Sequence, residues 1–464
     1  MSTAEEEVRL SMRVMINKEK TKVLFAIVDN KLADILLSFL TLPMGMIPQL
    51  LGKHFGEDEA PNIGSLNTLY KGLENLDSSH FRTEVNKLML LNPRSSLDAD
   101  CSKLQLNIYY DTQPIKYFSC EDMDCRSAIM YHDTERCPCG KSMNRNLIFP
   151  IEGDYEDGEV FTVKTSTFLI SDDLRMLPNV TGSFLQTIKD LGITDTNEAQ
   201  QMTFTIGFNQ IMELLKWSLL SQFPLTDLIL GKSQIRKSSS IANPELFILP
   251  PEMNEEANSS SKKFKVKATV QKSTYKLLFV QAEEDFIDFL FSFLTIPLAQ
   301  VERLLGSNTW LGSIDNMYKS LSNLNADKYL KTPDAKGWLL DPKIPPNFLS
   351  KNQIFPISEK EYTFKGGACN GKPPAFVNPN NEGSYLKGPG MFMVTDDLTV
   401  TPLCMLSTIS TLNELKIPLC DVEELEIDIG LEEGLRILKA SLTLTYALTN
   451  GLIHILRKQL KQEN

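Results

Sequence analysis

Four cysteines at ligand-like spacing, Cys120, Cys125, Cys137 and Cys139, stand in the run "YFSCEDMDCRSAIMYHDTERCPCGKSMNR". The pattern is C-x4-C, eleven residues, then C-x-C-G. Four thiolates converging on one point suit a tetrahedral structural zinc, and a site whose four positions are all protein leaves none open for water or substrate. Gly140 eases the tight turn of a knuckle. The spacing departs from the C-x2-C pair of a standard zinc ribbon, so four reduced thiols in an acidic surface hairpin stand as the alternative. His132, inside the loop, is a candidate to replace one cysteine.

Other residues with chemistry at hand give weaker patterns. Asp172 and Asp173 recur as Asp396 and Asp397, but neighbours on a strand point to opposite faces, so a polar turn is expected rather than a paired acid site. His54, His80, His132 and His454 are scattered, with no HExxH, GxSxG, P-loop or GxGxxG motif beside them. Lys216 and Lys439 stand in "LLKWSL" and "ILKASL" and are expected on the solvated edges of amphipathic helices. The terminal "LIHILRKQLKQEN" reads as a helix whose basic end complements its dipole.

The elements that must position the cysteines are written twice. "DILLSFLTLPMG" at Asp34 to Gly45 returns, shifted by 254 positions, as "DFLFSFLTIPLA" at Asp288 to Ala299. Upstream, Leu10, Met12, Val14 and Ile16 alternate as Phe264, Val266, Ala268 and Val270 do, and a polar turn and a second apolar run make each a β-hairpin. Leu32, Ile35, Leu36, Phe39 and Leu40 then fall at helical spacing, as do Phe286, Phe289, Leu290, Phe293 and Leu294. Pro43 and Pro297 are expected to end these helices. A short second helix should stop at Gly52 or Gly306 in a left-handed cap.

After a loop six residues longer in the first copy, a third amphipathic helix carries Leu66, Leu69, Tyr70, Leu73 and Leu76, or Ile314, Met317, Tyr318, Leu321 and Leu324, with Ser65 or Ser313 as its expected cap. "FLISDDLRMLP" answers "FMVTDDLTVTP", and C-terminal helices close each copy. The fold class is therefore α+β: a tandem duplication of a unit with an N-terminal β-hairpin, three short amphipathic helices, a further β segment and C-terminal helices. The first repeat spans 8–230, with the cysteine hairpin at about 117–150; a Ser-, Pro- and Asn-rich linker covers 231–261; the second repeat spans 262–455 and lacks the cluster, keeping only Cys369 in that region.

The runs "LLFVQAEEDFIDFLFSFLTIPL", "GSLNTLYKGLENL", "LLNPRSS", "CPCGKSMNR" and "DDLTVTP" with "ILKASL" together resemble a plant family known as domain of unknown function 674. The resemblance covers nearly the whole chain. It implies a plant-type protein commonly built from two such copies, with no established activity, so no catalytic residue can be carried over.

With 464 residues and a net charge of −12, the chain has room for more than one core and repels phosphate backbones. No secretory or transit pattern opens it, and no apolar run is long enough to span a bilayer. A soluble cytoplasmic protein is expected, with the nucleus also open. Among functions, a non-enzymatic protein-interaction or scaffold role acting on a protein partner leads. An enzyme or small-molecule binder with a pocket between helices and sheet is the alternative, and zinc-assisted nucleic-acid binding comes last, given the acidic "EDMDC" and "EGDYEDGE" around the cysteines.

Overall fold

The computed structural model describes residues 9–56, 58–104, 106, 108, 117–122, 125, 128–130, 136–137, 139–147, 160–180, 184–190, 199–231, 262–361, 375–376 and 383–462. The expected linker beyond residue 231, His132 and Cys369 lie outside these residues.

Alternating burial makes the first hairpin: β1 (Leu10–Ile16) buries Leu10, Met12, Val14 and Ile16 and turns Ser11 and Arg13 outward, and β2 (Val23–Asp29) pairs with it antiparallel. Then follow α1 (Asn30–Ser38), α2 (Met46–Phe55), α3 (Leu66–Asn75), α4 (Glu84–Leu91), the short strands β3 (Tyr117–Ser119), β4 (Ala128–Met130) and β5 (Arg145–Leu147), β6 (Thr167–Ser171), β7 (Met176–Pro178), α5 (Phe184–Asp190), β8 (Gln200–Ile206), α6 (Phe208–Leu220) and α7 (Pro224–Leu230). The second segment runs β9 (Phe264–Gln271), β10 (Lys276–Glu283), α8 (Glu284–Ser292), α9 (Leu298–Leu304), α10 (Gly312–Asn323), α11 (Pro333–Leu340), β11 (Ala375–Phe376), β12 (Met391–Thr395), β13 (Val400–Pro402), α12 (Met405–Leu415), β14 (Val422–Ile429), α13 (Leu431–Thr443) and α14 (Ala447–Gln462). The fold is α+β. Two five-stranded antiparallel sheets have the same strand order, β7-β6-β2-β1-β8 and β13-β12-β10-β9-β14.

Three local expectations change in the structure. The α-helices α1 and α8 stop at Ser38 and Ser292, and 3-10 turns over Phe39–Thr41 and Phe293–Thr295 carry the chain to the prolines. Gly52 lies inside α2, which runs on to Phe55, and the positive φ of +85° falls at Gly56; Gly306 does take a left-handed φ, +62°. Ser65 stands at the N-cap of α3 without a side-chain bond to it, and Ser313 lies inside α10, whose N-cap is Leu311. Their hydroxyls donate instead to carbonyls of the opposite segment, Ser65 Oγ to Leu444 O at 2.7 Å and Ser313 Oγ to Ser221 O at 3.4 Å.

That crossing is reciprocal throughout. Pro43 and Pro297 face each other in an antiparallel bridge, flanked by Met44 N to Ile296 O (2.9 Å), Gly45 N to Leu294 O (2.8 Å) and Leu298 N to Leu42 O (2.9 Å). On the first segment, Ser65 N donates to Ser441 O at 2.9 Å and Thr68 Oγ1 to Asp397 O. On the second, Asn316 Nδ2 donates to Asp173 O at 2.9 Å, and Ser320 Oγ accepts Met176 N at 3.0 Å. One continuous apolar core draws on both segments, from Leu10 and Phe39 to Phe289 and Leu456.

Gly64 marks how closely the segments meet. Its φ is +50°, and a Cβ there would lie 2.4 Å from Ser441 O and 2.7 Å from Leu442 C. Gly64→Ala therefore lowers the unfolding free energy by about 2–4 kcal/mol, through left-handed strain and backbone overlap. Gly52→Ala, in a helix with open space around it, raises it by about 0.5–1 kcal/mol. Urea unfolding of the two variants checks both; equal effects would contradict the close approach at Gly64.

Candidate metal centre

The cysteines sit on a small sheet of order β11-β4-β3-β5. Strand β3 pairs antiparallel with β4 (Phe118 opposite Met130) and with β5 (Tyr117 opposite Leu147). Cys120 follows β3 directly, and Cys125 lies in the connection to β4, its N–H donating to Asp122 O at 3.1 Å. Cys137 and Cys139 form the knuckle before β5. There Cys137 N donates to Lys141 O (2.8 Å), Gly140 N donates to Cys137 O (2.7 Å), and Gly140 has φ +89°, the turn that the C-x-C-G spacing implies. Glu121 N to Ser142 O (2.9 Å) and Lys141 Nζ to Asp122 Oδ2 (2.7 Å) lash the two cysteine loops together.

All four sulfurs lie within 4.8 Å of one another. Cys120 Sγ is 3.5 Å from Cys139 Sγ, and Cys125 Sγ is 3.5 Å from Cys137 Sγ. A tetrahedral ion with sulfurs at about 2.3 Å has sulfur–sulfur edges of about 3.8 Å, so the cluster has the dimensions of a metal site. Cys120 and Cys137 are buried among Met130, Met143 and Phe118, Cys125 is half-buried and Cys139 is exposed. Burial pushes the Cys120 and Cys137 thiols above the ordinary cysteine range. A bound cation is what turns such buried thiols into thiolate ligands.

Both segments hold this sheet. β11 pairs parallel with β4, Ala375 opposite Ala128 and Phe376 opposite Ile129. Tyr117 packs against a cluster of Val85 and Met89 from the first segment with Ile344 and Phe348 from the second.

The paired aspartates split into separate structural roles. Asp172 accepts Thr226 N (2.8 Å) and Thr226 Oγ1 (2.7 Å), and Asp396 accepts Thr449 N (2.8 Å) and Thr449 Oγ1 (2.7 Å), so each caps the first turn of a C-terminal helix. Burial raises both carboxyls to about 6. Asp173 turns away to Arg175 Nη2 at 2.8 Å, and Asp397 Oδ1 accepts Thr395 Oγ1 at 2.5 Å. They form the turns between β6 and β7 and between β12 and β13, as the residue types imply.

Lys439 is not on a solvated edge. It is 3% exposed, with its ammonium 4.4 Å above the Trp310 ring, and burial lowers it to about 8. Lys216 is half-buried, paired with Glu213 at 2.9 Å and set over Phe55 and Trp217 at 4.5 Å each. The described histidines stay apart. His54 meets Phe55 and Phe208 edge-on, His80 meets Phe392, and His454 Nε2 lies 3.6 Å from Glu433 Oε1.

Sequence reasoning passed over Asp34 and Asp288, each wholly buried in an apolar helix. Asp34 accepts Val160 N (2.9 Å), Phe161 N (3.1 Å), Thr162 N (2.8 Å) and Thr162 Oγ1 (2.7 Å). Asp288 accepts Tyr385 N (2.6 Å), Leu386 N (3.1 Å), Asn352 Nδ2 (3.1 Å) and Ser350 Oγ. Burial raises the Asp34 carboxyl to about 6 and moves Asp288 the same way. The available signal was a carboxylate at the same place in two otherwise apolar helical faces, where an unpaired charge is not tolerated.

The chain belongs to the DUF674 family: the family model, described as a protein of unknown function, matches residues 6–432. No curated protein and no solved structure matches it. Among the described residues, no helix is long and apolar enough to cross a membrane.

Proposed function

We propose that this protein is a non-enzymatic interaction protein, a tandem duplication of one α+β unit, whose cysteine hairpin is built around a structural zinc ion. The observation that carries the reading is the convergence of Cys120, Cys125, Cys137 and Cys139 within 4.8 Å. Four thiol ligands select zinc over harder cations and fill a tetrahedral shell, which gives the ion a structural rather than a catalytic part. The duplication, with repeats at 8–230 and 262–455, draws support from the equal strand orders of the two large sheets and from the matched bonds of Asp172 with Thr226 and of Asp396 with Thr449. Thiolate ligands call for a reducing compartment, so the protein acts in the cytoplasm or nucleus.

Support for a protein partner comes from α12. It covers the outer face of its sheet through Leu412 but leaves Met405 and Leu406 80% exposed and Ile409 49% exposed, with Leu419 at 75% just beyond. A run of large apolar side chains on one exposed helix is a protein-contact surface.

Purified protein is expected to carry about one zinc per chain by elemental mass spectrometry. Cys137→Ser loses it together with thermal stability, whereas Cys404→Ser, at an exposed cysteine outside the cluster, keeps both. No stoichiometric metal in the unmodified protein would sink the zinc site. For the surface, the double variant Met405→Asp, Leu406→Asp keeps the circular dichroism spectrum and loses the proteins that the unmodified chain captures from its native extract. Identical capture by both places the contact elsewhere, and capture of nothing by either contradicts the interaction role.

A further inference from the structure

We propose that the cysteine cluster is also a peroxide-responsive switch, in which hydroperoxides convert its four thiolates into two disulfides, Cys120–Cys139 and Cys125–Cys137, and expel the metal. The inference rests on the zinc reading above and concerns what regulates that site.

All four sulfurs lie within 4.8 Å of one another, so each is within reach of a partner. Two approaches of 3.5 Å, Cys120 Sγ to Cys139 Sγ and Cys125 Sγ to Cys137 Sγ, use every cysteine once. Each pair must close by only about 1.5 Å to reach the disulfide length of about 2.05 Å. Both pairs run between the same two loops, Cys120 and Cys125 in one and Cys137 and Cys139 in the other, so oxidation replaces each metal link with a covalent one across the same gap. The pairing also avoids a ring closed within the C-x-C knuckle.

Exposure sets the order of events. Cys139 is exposed, and its partner Cys120 is buried. The Cys139 sulfur attacks a peroxide oxygen, forming an S–O bond as the O–O bond breaks. The departing alkoxide or hydroxide carries away the bonding electron pair and takes a proton from solvent to become alcohol or water. The resulting sulfenic acid is attacked by Cys120 Sγ, which forms the S–S bond and expels hydroxide, protonated to water. Each disulfide therefore consumes one hydroperoxide in a two-electron reduction, and a second equivalent oxidises Cys125 and Cys137 in the same way. Zinc keeps its oxidation state and leaves as the hydrated ion, because its ligands are now disulfide sulfurs.

The test uses the full zinc-loaded chain under anaerobic conditions, titrated with hydrogen peroxide in the presence of a chromophoric zinc chelator. Peroxide releases about one zinc per chain as the four cluster thiols are lost, and thiol reductant with added zinc restores the site. Trypsin places Cys120 and Cys125 on one peptide (117–126) and Cys137 and Cys139 on another (137–141), so the expected pairing links the two peptides, and tandem mass spectrometry assigns the partners. Cys139→Ser slows release by about tenfold or more at equal peroxide, while Cys404→Ser leaves it unchanged. If Cys139→Ser fails to hold zinc, the peptide map of the unmodified chain decides. Zinc retained in excess peroxide, or released with the two peptides unlinked or carrying sulfinic and sulfonic acids, overturns the switch and leaves the zinc site standing. A reduced chain that holds no zinc before peroxide is added overturns the zinc reading, and the switch with it.

Discussion

The antiparallel contact of Pro43 with Pro297 is the constraint on which the rest of the structure depends. Proline has no N–H to give, so the flanking Met44, Gly45 and Leu298 amides make the bonds. This brings the two segments together with opposite polarity and points α3 toward β13 and α10 toward β7. Helix α3 buries Leu66, Leu69, Tyr70 and Leu73. At roughly 1.5–3 kcal/mol for a fully buried aliphatic side chain, packing outweighs the roughly 1 kcal/mol net of each crossing hydrogen bond. Apolar burial thus sets the strength of the interlock, and the serine, threonine and asparagine bonds set its register.

Two buried carboxylates extend the same arrangement outward. Asp34 gathers the backbone of 160–162, and that loop reaches across to the second segment through Lys331 N to Phe161 O (2.9 Å) and Val163 N to Tyr329 O (3.0 Å). Asp288 does the same for Tyr385 and Leu386, where Tyr385 O accepts Arg82 N at 3.0 Å and Lys387 N donates to His80 O at 2.9 Å. The cysteine sheet lies where the segments adjoin. Its strands are three, three, three and two residues long, too short to bury a core of their own. A metal ion held by the four cysteines would supply the cohesion that apolar side chains cannot supply at that size.

Much of this was legible in the residues. Helical spacing in "DILLSFL" and "DFLFSFL" and alternation in β1 and β9 belong to local geometry, and the structure has these elements. The turn at Asp172 and Asp173 and the knuckle at Gly140 follow from residue chemistry within a few positions. Most of the misses share one cause, since they depend on what another part of the chain presses against. Ser65 and Ser313 look like caps until the opposite segment offers a carbonyl. Lys439 looks like a solvated edge until Trp310 covers it. Gly52 looks like a helix end although the next turn continues to Gly56. The role of Asp34 needs three amides more than 120 positions away. The similar words "DILLSFL" and "DFLFSFL" describe matching buried helices, and only the folded chain shows that the two segments share one core.

The most direct test of the central claim, that one metal ion is held by the four thiolates of the hairpin, is X-ray absorption spectroscopy at the zinc edge on the purified chain. The account predicts a single shell of four sulfurs at about 2.3 Å. A shell containing nitrogen or oxygen, or fewer than four sulfurs, would contradict it.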